Sequence, residues 1–90
     1  YFVSLDKLTF MVGSDGARHL LDGSLSEVEA ELDPQLFFRV NRQMLVAARA
    51  VARWSSGGKG RLILELLPKG AGEVQVSQER AAAFREWIGR

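Results

Sequence analysis

One stretch limits the folding options more than any other: Phe37-Phe38-Arg39-Val40-Asn41-Arg42-Gln43-Met44-Leu45-Val46. Aromatics anchor its start and Met44, Leu45 and Val46 anchor its end, while arginine, asparagine and glutamine crowd the middle. A chain built this way is tied to a core at both ends and presents polar side chains between, as an amphipathic strand or a turn. Arginine, asparagine and glutamine also form bidentate hydrogen bonds with guanine and adenine edges, and arginine binds phosphate. The plainer alternative is that these arginines only solvate a surface.

Charge distribution bears on that choice. The net charge is +1, which says nothing about partners, but the charges are segregated. Residues 19–38 hold no Lys or Arg and five acids, Asp22, Glu27, Glu29, Glu31 and Asp33. Residues 34–64 hold no acid and six bases, Arg39, Arg42, Arg49, Arg53, Lys59 and Arg61. Kept apart, these blocks give one acidic and one basic face, and a basic face is the footprint of a polyanion binder. Paired with each other, they would leave no net field.

Ninety residues make one small domain with a single core. With 47% hydrophobic and 26% charged residues the chain has globular composition. It has no cysteine, hence neither disulfides nor thiolate metal ligands, consistent with a cytoplasmic protein. No apolar run reaches the roughly 18 residues of a membrane span. The chain starts with Tyr1-Phe2-Val3-Ser4, directly in strand-like sequence and without Met, as a fragment of a larger protein would.

The local signals describe an α+β domain, mainly antiparallel. Residues 1–4 and 8–12 read as strands, Ser14-Asp15-Gly16 as a turn, and 18–21 as the return strand of a hairpin. Ser24 precedes Glu27 by three positions, the spacing of a capping box. Leu25, Val28 and Leu32 then recur at helical spacing, and Asp33-Pro34 ends the helix. Strands are expected over 43–47, 50–55, 61–67 and 73–76, with a single helical turn linking the first two. Ser55-Ser56-Gly57-Gly58-Lys59-Gly60 forms a flexible hairpin loop. Ser77 is the expected N-cap of a closing helix over 78–88, packed through Ala81, Phe84, Trp87 and Ile88.

Enzyme chemistry finds little support. His19 is the sole histidine, so no metal cluster or imidazole base is assembled around it, and no cofactor is expected. Ser24, Ser26 and Ser77 read as helix caps. Gly57-Gly58-Lys59-Gly60 lacks the strand-loop-helix setting and the Gly-Lys-Ser/Thr ending of a phosphate-binding loop. That hairpin, with Arg53 and Lys59, reads instead as a sequence-independent contact to a nucleic-acid backbone. Trp54 is expected partly buried in its strand, and Phe37 and Phe38 as core anchors, not stacking platforms, which favours duplex over single strands.

The order and spacing of these blocks resemble the LytTR DNA-binding domain of bacterial response regulators. The resemblance lies in Leu21-Asp22-Gly23-Ser24-Leu25-Ser26-Glu27-Val28-Glu29, in Leu32-Asp33-Pro34-Gln35-Leu36 leading into the central block described above, and in Val76-Ser77-Gln78-Glu79-Arg80. It covers almost all ninety residues, and the central block is its most specific part. The family's opening strand is missing, and Ala47, Ala48 and Ala50 stand where more polar residues are common.

The resemblance implies a mainly antiparallel β domain with two main helices, not a helix-turn-helix. Its loops at one sheet edge would enter successive major grooves. The base-contacting regions would fall at Lys7 to Thr9, at Asn41, Arg42 and Gln43, and at Gln78 to Arg80. Residue chemistry agrees best at Arg42 and Arg80. Arg39, beside Phe38, suits a phosphate or a structural contact. The implied partners are double-stranded DNA with paired half-sites, an upstream receiver domain and a second copy on DNA. A protein-interaction module using the basic face, or an RNA binder, are the alternatives.

Overall fold

The turn signals divide the chain into short apolar strands, and these assemble as two antiparallel sheets in a computed structural model that describes residues 1–89. Strands β1 (Phe2–Leu5), β2 (Leu8–Val12), β3 (Arg18–Leu21), β4 (Phe37–Asn41) and β5 (Met44–Ala47) form the first, in the order β3-β2-β1-β5-β4. Strands β6 (Val51–Ser56), β7 (Leu62–Leu66) and β8 (Val74–Val76) form the second. Helix α1 (Leu25–Glu31) follows β3, and α2 (Ala81–Ile88) closes the fold. No helix-turn-helix is present among the described residues, as expected.

The expected capping box is present. Glu27 N donates to Ser24 Oγ at 3.1 Å, and Ser24 N donates to Glu27 Oε1 at 3.0 Å. These bonds satisfy backbone donors that the first helical turn leaves free. The link after β5 is a single 3-10 turn, Ala48–Ala50. Ser77 departs from expectation: it makes no side-chain capping bond, because a 3-10 turn, Gln78–Arg80, precedes α2. The backbone closes that turn alone, Arg80 N donating to Ser77 O at 2.9 Å.

The hairpin β4–β5 lies between two cores, which accounts for its unusual sequence. Val40, Met44 and Val46 face one cluster with Leu62, Leu64, Leu66, Val74, Val76, Phe84 and Trp87. Leu45 faces the other, with Phe2 and Leu25. Phe37 and Phe38 split the same way, Phe37 packing edge-on to Phe2 and Phe38 edge-on to Phe84. Phe84 is fully buried, and its burial stabilises the fold by roughly 1.5–3 kcal/mol. Trp87 is buried too, and its indole N–H donates to Pro34 O and Gln35 O, both at 3.1 Å. Trp54 is more open than expected, 43% exposed, with its ring edge-on to Phe84 and Arg85 above it.

Candidate nucleic-acid interface

Between its two cores the β4–β5 hairpin has to reverse direction, and it does so through a bulge at Arg39 and Asn41. Val40 is fully buried there, which turns the neighbouring side chains outward from the core. Arg39 does not project into solvent; its side chain is 15% exposed. Its Nε donates to Asn41 O at 2.9 Å and its Nη2 to Arg42 O at 2.6 Å. Nη1 reaches α1, at 3.3 Å from Ser26 Oγ and 3.1 Å from Glu29 Oε1. The guanidinium thus holds two carbonyls of the turn and ties them to the helix. Of the two expected roles for Arg39, phosphate contact or structural contact, the geometry fits the second.

Asn41 is likewise committed inward. Its Nδ2 donates to Gln75 O at 2.7 Å, linking the two sheets, and its Oδ1 accepts from Gln43 N at 2.8 Å. Asn41 was expected among the base readers; here its amide is engaged in shaping the turn. Ser4 N donates to Gln43 O at 2.8 Å, which anchors the same turn to β1. What the turn leaves free is the side chains of Arg42 and Gln43, both exposed.

The register places the other expected regions at this same end of the molecule. Leu5 pairs with Leu8, so Asp6 and Lys7 form a two-residue hairpin turn in which both have positive φ, 50° and 68°. Lys7 is exposed at its tip. Thr9 is not: it pairs with Ser4 and Leu21 and is 2% exposed. Strand alternation puts Thr9 on the same side as Met11, facing α1, so its expected contact with DNA is corrected to a packing position.

On the second sheet, Ser77 N donates to Val40 O at 3.0 Å and brings the Gln78–Arg80 turn beside β4. Gln78, Glu79 and Arg80 are exposed, and the Arg80 guanidinium sits 5.9 Å above the Phe38 ring centroid, a cation–π contact. A groove between this turn and the β4–β5 turn is lined by Ser26, Arg42, Gln43, Glu79 and Arg80. Beyond Gln43 it continues past Leu5, Gln78 and Arg61.

The β6–β7 hairpin ends at the same edge, since Leu62 pairs with Val76 just before Ser77. Gly58, Lys59 and Gly60 all have positive φ, and Arg61 N donates to Gly58 O at 3.0 Å to close the turn. A Cβ on Gly60 would lie 3.3 Å from Gln78 Cγ, so this loop packs directly against the 3-10 turn. Lys59 is exposed at the tip. Arg53 lies apart, on the open face of the second sheet, with Nε 3.2 Å from Glu65 Oε2. Arg61, a basic residue not expected among the DNA contacts, also lies at this edge. Its position next to Leu62, level with Ser77, places it in the groove.

The segregated charges are therefore partly neutralised. Arg39 pairs with Glu29 of the acidic helix, Arg53 pairs with Glu65, and Arg49 lies at the other end beside Phe37 and Pro68. Arg42, Lys59 and Arg61 remain at the edge, joined by Lys7 and Arg80. Asp6 and Glu79 lie among them, so the edge is basic with acidic interruptions. No group of three His, Cys, Asp or Glu side chains is placed to hold a metal among the described residues. Nor is any described helix long and apolar enough to cross a membrane.

The chain as a whole has counterparts among known proteins. The family model for the LytTr DNA-binding domain matches residues 1–89. A solved structure from Bacillus cereus, described as the LytTr DNA-binding domain of a methyl-accepting/DNA response regulator, superposes with a TM-score of 0.82 at 26% identity. The match covers 99% of this chain and 79% of that one. No curated protein is significantly similar.

Proposed function

The chain belongs to the LytTr DNA-binding domain family, a family of DNA binders and not of enzymes, and from that premise we infer that it reads duplex DNA in a sequence-specific manner. The observation that carries this reading is the braced β4–β5 turn. Arg39 and Asn41 fix its backbone, so Arg42 and Gln43 project from a held main chain. Fixing that backbone before binding reduces the entropy lost on contact, which suits bidentate hydrogen bonding to base edges in a major groove. Lys7, Lys59, Arg61 and Arg80 flank the turn and suit contacts to phosphates, with Gln78 beside them.

The domain acts as the output of a two-component transcriptional regulator in the bacterial cytoplasm, joined to a receiver domain within a longer protein. The description of the B. cereus domain supports this setting. Few bases reach the edge, so one copy gathers few phosphate contacts. Two copies on direct-repeat half-sites, one or two helical turns apart, gain affinity through effective concentration.

Anisotropy titrations over a range of salt concentrations, on genomic duplex fragments, random duplex and structured RNA, test the reading. The expected result is a preferred duplex with steep salt dependence. Preference for RNA, or no nucleic-acid binding, would transfer the edge to the other readings. A dimerised form titrated on phased repeats, and on repeats with about five base pairs inserted, tests the paired arrangement. Indifference to the insertion would exclude it.

A further inference from the structure

Strand β3 closes one side of the five-stranded sheet, and no described strand covers its outer edge. The ladder shows which backbone groups that edge presents. Tyr1 and Val12 exchange hydrogen bonds in both directions, at 3.0 and 2.7 Å. On the other side of β2, Gly13 N donates to Ala17 O at 3.0 Å. Because bonded and non-bonded pairs alternate along an antiparallel ladder, Val12 and Phe10 bond towards β1, and Met11 and Thr9 towards β3. Their partners His19 and Leu21 therefore face inward. The N–H and C=O groups of Arg18 and Leu20 point away from the sheet.

The side chains at this edge are also unusual. Leu20 is 62% exposed and stands directly opposite Phe10 on the face away from α1, a face it shares with exposed Leu8 and Leu5. Edges are ordinarily guarded by short length, charge, proline or a bulge; β3 has no proline or bulge, and its guards are its four-residue length and the single charge of Arg18. Arg18 precedes Leu20 by two positions and Asp22 follows it by two, so opposite charges flank the leucine symmetrically.

We propose that two copies of this chain associate through antiparallel pairing of β3 with itself, centred on Leu20. A two-fold axis there sets Leu20 against Leu20 of the partner subunit and Arg18 against Asp22 of the partner subunit, at both ends of the contact. The surface is self-complementary, as an isologous interface must be. Centring on His19 would pair groups that face inward, and centring on Arg18 would oppose two guanidiniums. The short strand buries less than the ~1,200 Å² of a stable interface, so the association is weak and concentration dependent. Antiparallel pairing also inverts one copy relative to the other. The two DNA-facing edges point in opposite directions, and the pair links two separate stretches of duplex instead of adjacent half-sites.

Sedimentation equilibrium across a wide concentration range tests this. The wild-type mass rises from that of one chain towards that of two. Leu20→Lys sets two ammonium groups at the centre and weakens self-association by about tenfold or more, while half-site affinity stays unchanged, which separates this proposal from the DNA-binding reading. Arg18→Asp and Asp22→Arg each weaken it, and the double exchange restores it. A wild type that stays single at every concentration, or a double exchange no better than its parents, overturns the proposal.

Discussion

Two basic turns share one edge of this molecule, and they are built in opposite ways. The β4–β5 turn is held by side chains: Arg39 grips two of its carbonyls, Asn41 crosses to the second sheet, and both core clusters clamp its strands. The β6–β7 turn is hydrogen-bonded through backbone alone, with glycines on either side of Lys59 and the Gln78 side chain packed against Gly60. A braced turn aims its free side chains, which direct readout needs. A glycine-rich turn adapts, and adaptation is sufficient for a phosphate, which looks alike at every base pair.

The strongest way to break that contrast is to remove the brace. Arg39→Ala is expected to cost about 2–3 kcal/mol of stability, because several charge-assisted hydrogen bonds disappear and Glu29 loses its partner. Urea unfolding measures the loss. At temperatures where the variant remains folded, affinity for the preferred site should fall more than affinity for random duplex. Equal losses on the two would show that bracing does not govern readout. Arg42→Ala, which leaves the brace intact, should cost about 1–3 kcal/mol of discrimination between preferred and random duplex without altering the unfolding midpoint. An equal loss on both sequences would reduce Arg42 to a phosphate contact.

The adaptable turn answers to different variants. Lys59 sits at φ 52°, a region that glycine tolerates better, so Lys59→Gly should gain about 0.5–1 kcal/mol of stability. The same variant should weaken binding evenly across sequences and flatten the salt slope by about one unit. Stability gained with an unchanged slope would mean that the hairpin points away from DNA. Arg53→Ala should do least, with stability within about 0.5 kcal/mol, since its exposed ion pair with Glu65 contributes little. Its salt slope should match that of the wild type; a flatter one would return Arg53 to the phosphate-contacting set where sequence reasoning placed it.

Local features were legible in the sequence because their causes are local. Glycine and Asp-Gly turns, period-two alternation and the Ser24–Glu27 spacing mark the first helix and every strand but β4 to within a residue or two; β4 was read only as an amphipathic strand or a turn. The commitments of Arg39 and Asn41 were not legible. Their partners Ser26, Glu29 and Gln75 lie 10 to 34 positions away, and only the folded chain joins them. The burial of Thr9 was hidden for a related reason: being polar and near the right segment says nothing about which side of a strand a residue occupies. Ser77 has the composition of a cap, but the tighter 3-10 turn after it leaves its hydroxyl without that bond.

The division of labour within the β4–β5 turn has a consequence for how such a domain diversifies. Residues 39 and 41 carry the shape, while residues 42 and 43 carry free chemistry. If Arg42 and Gln43 read bases as proposed, exchanging either would alter what the edge recognises without asking the cores, the sheets or the brace to readjust. A library randomised at those two positions, with Arg39 and Asn41 retained, should stay folded in nearly every member while its preferred sequences drift apart. New operators become reachable one side chain at a time.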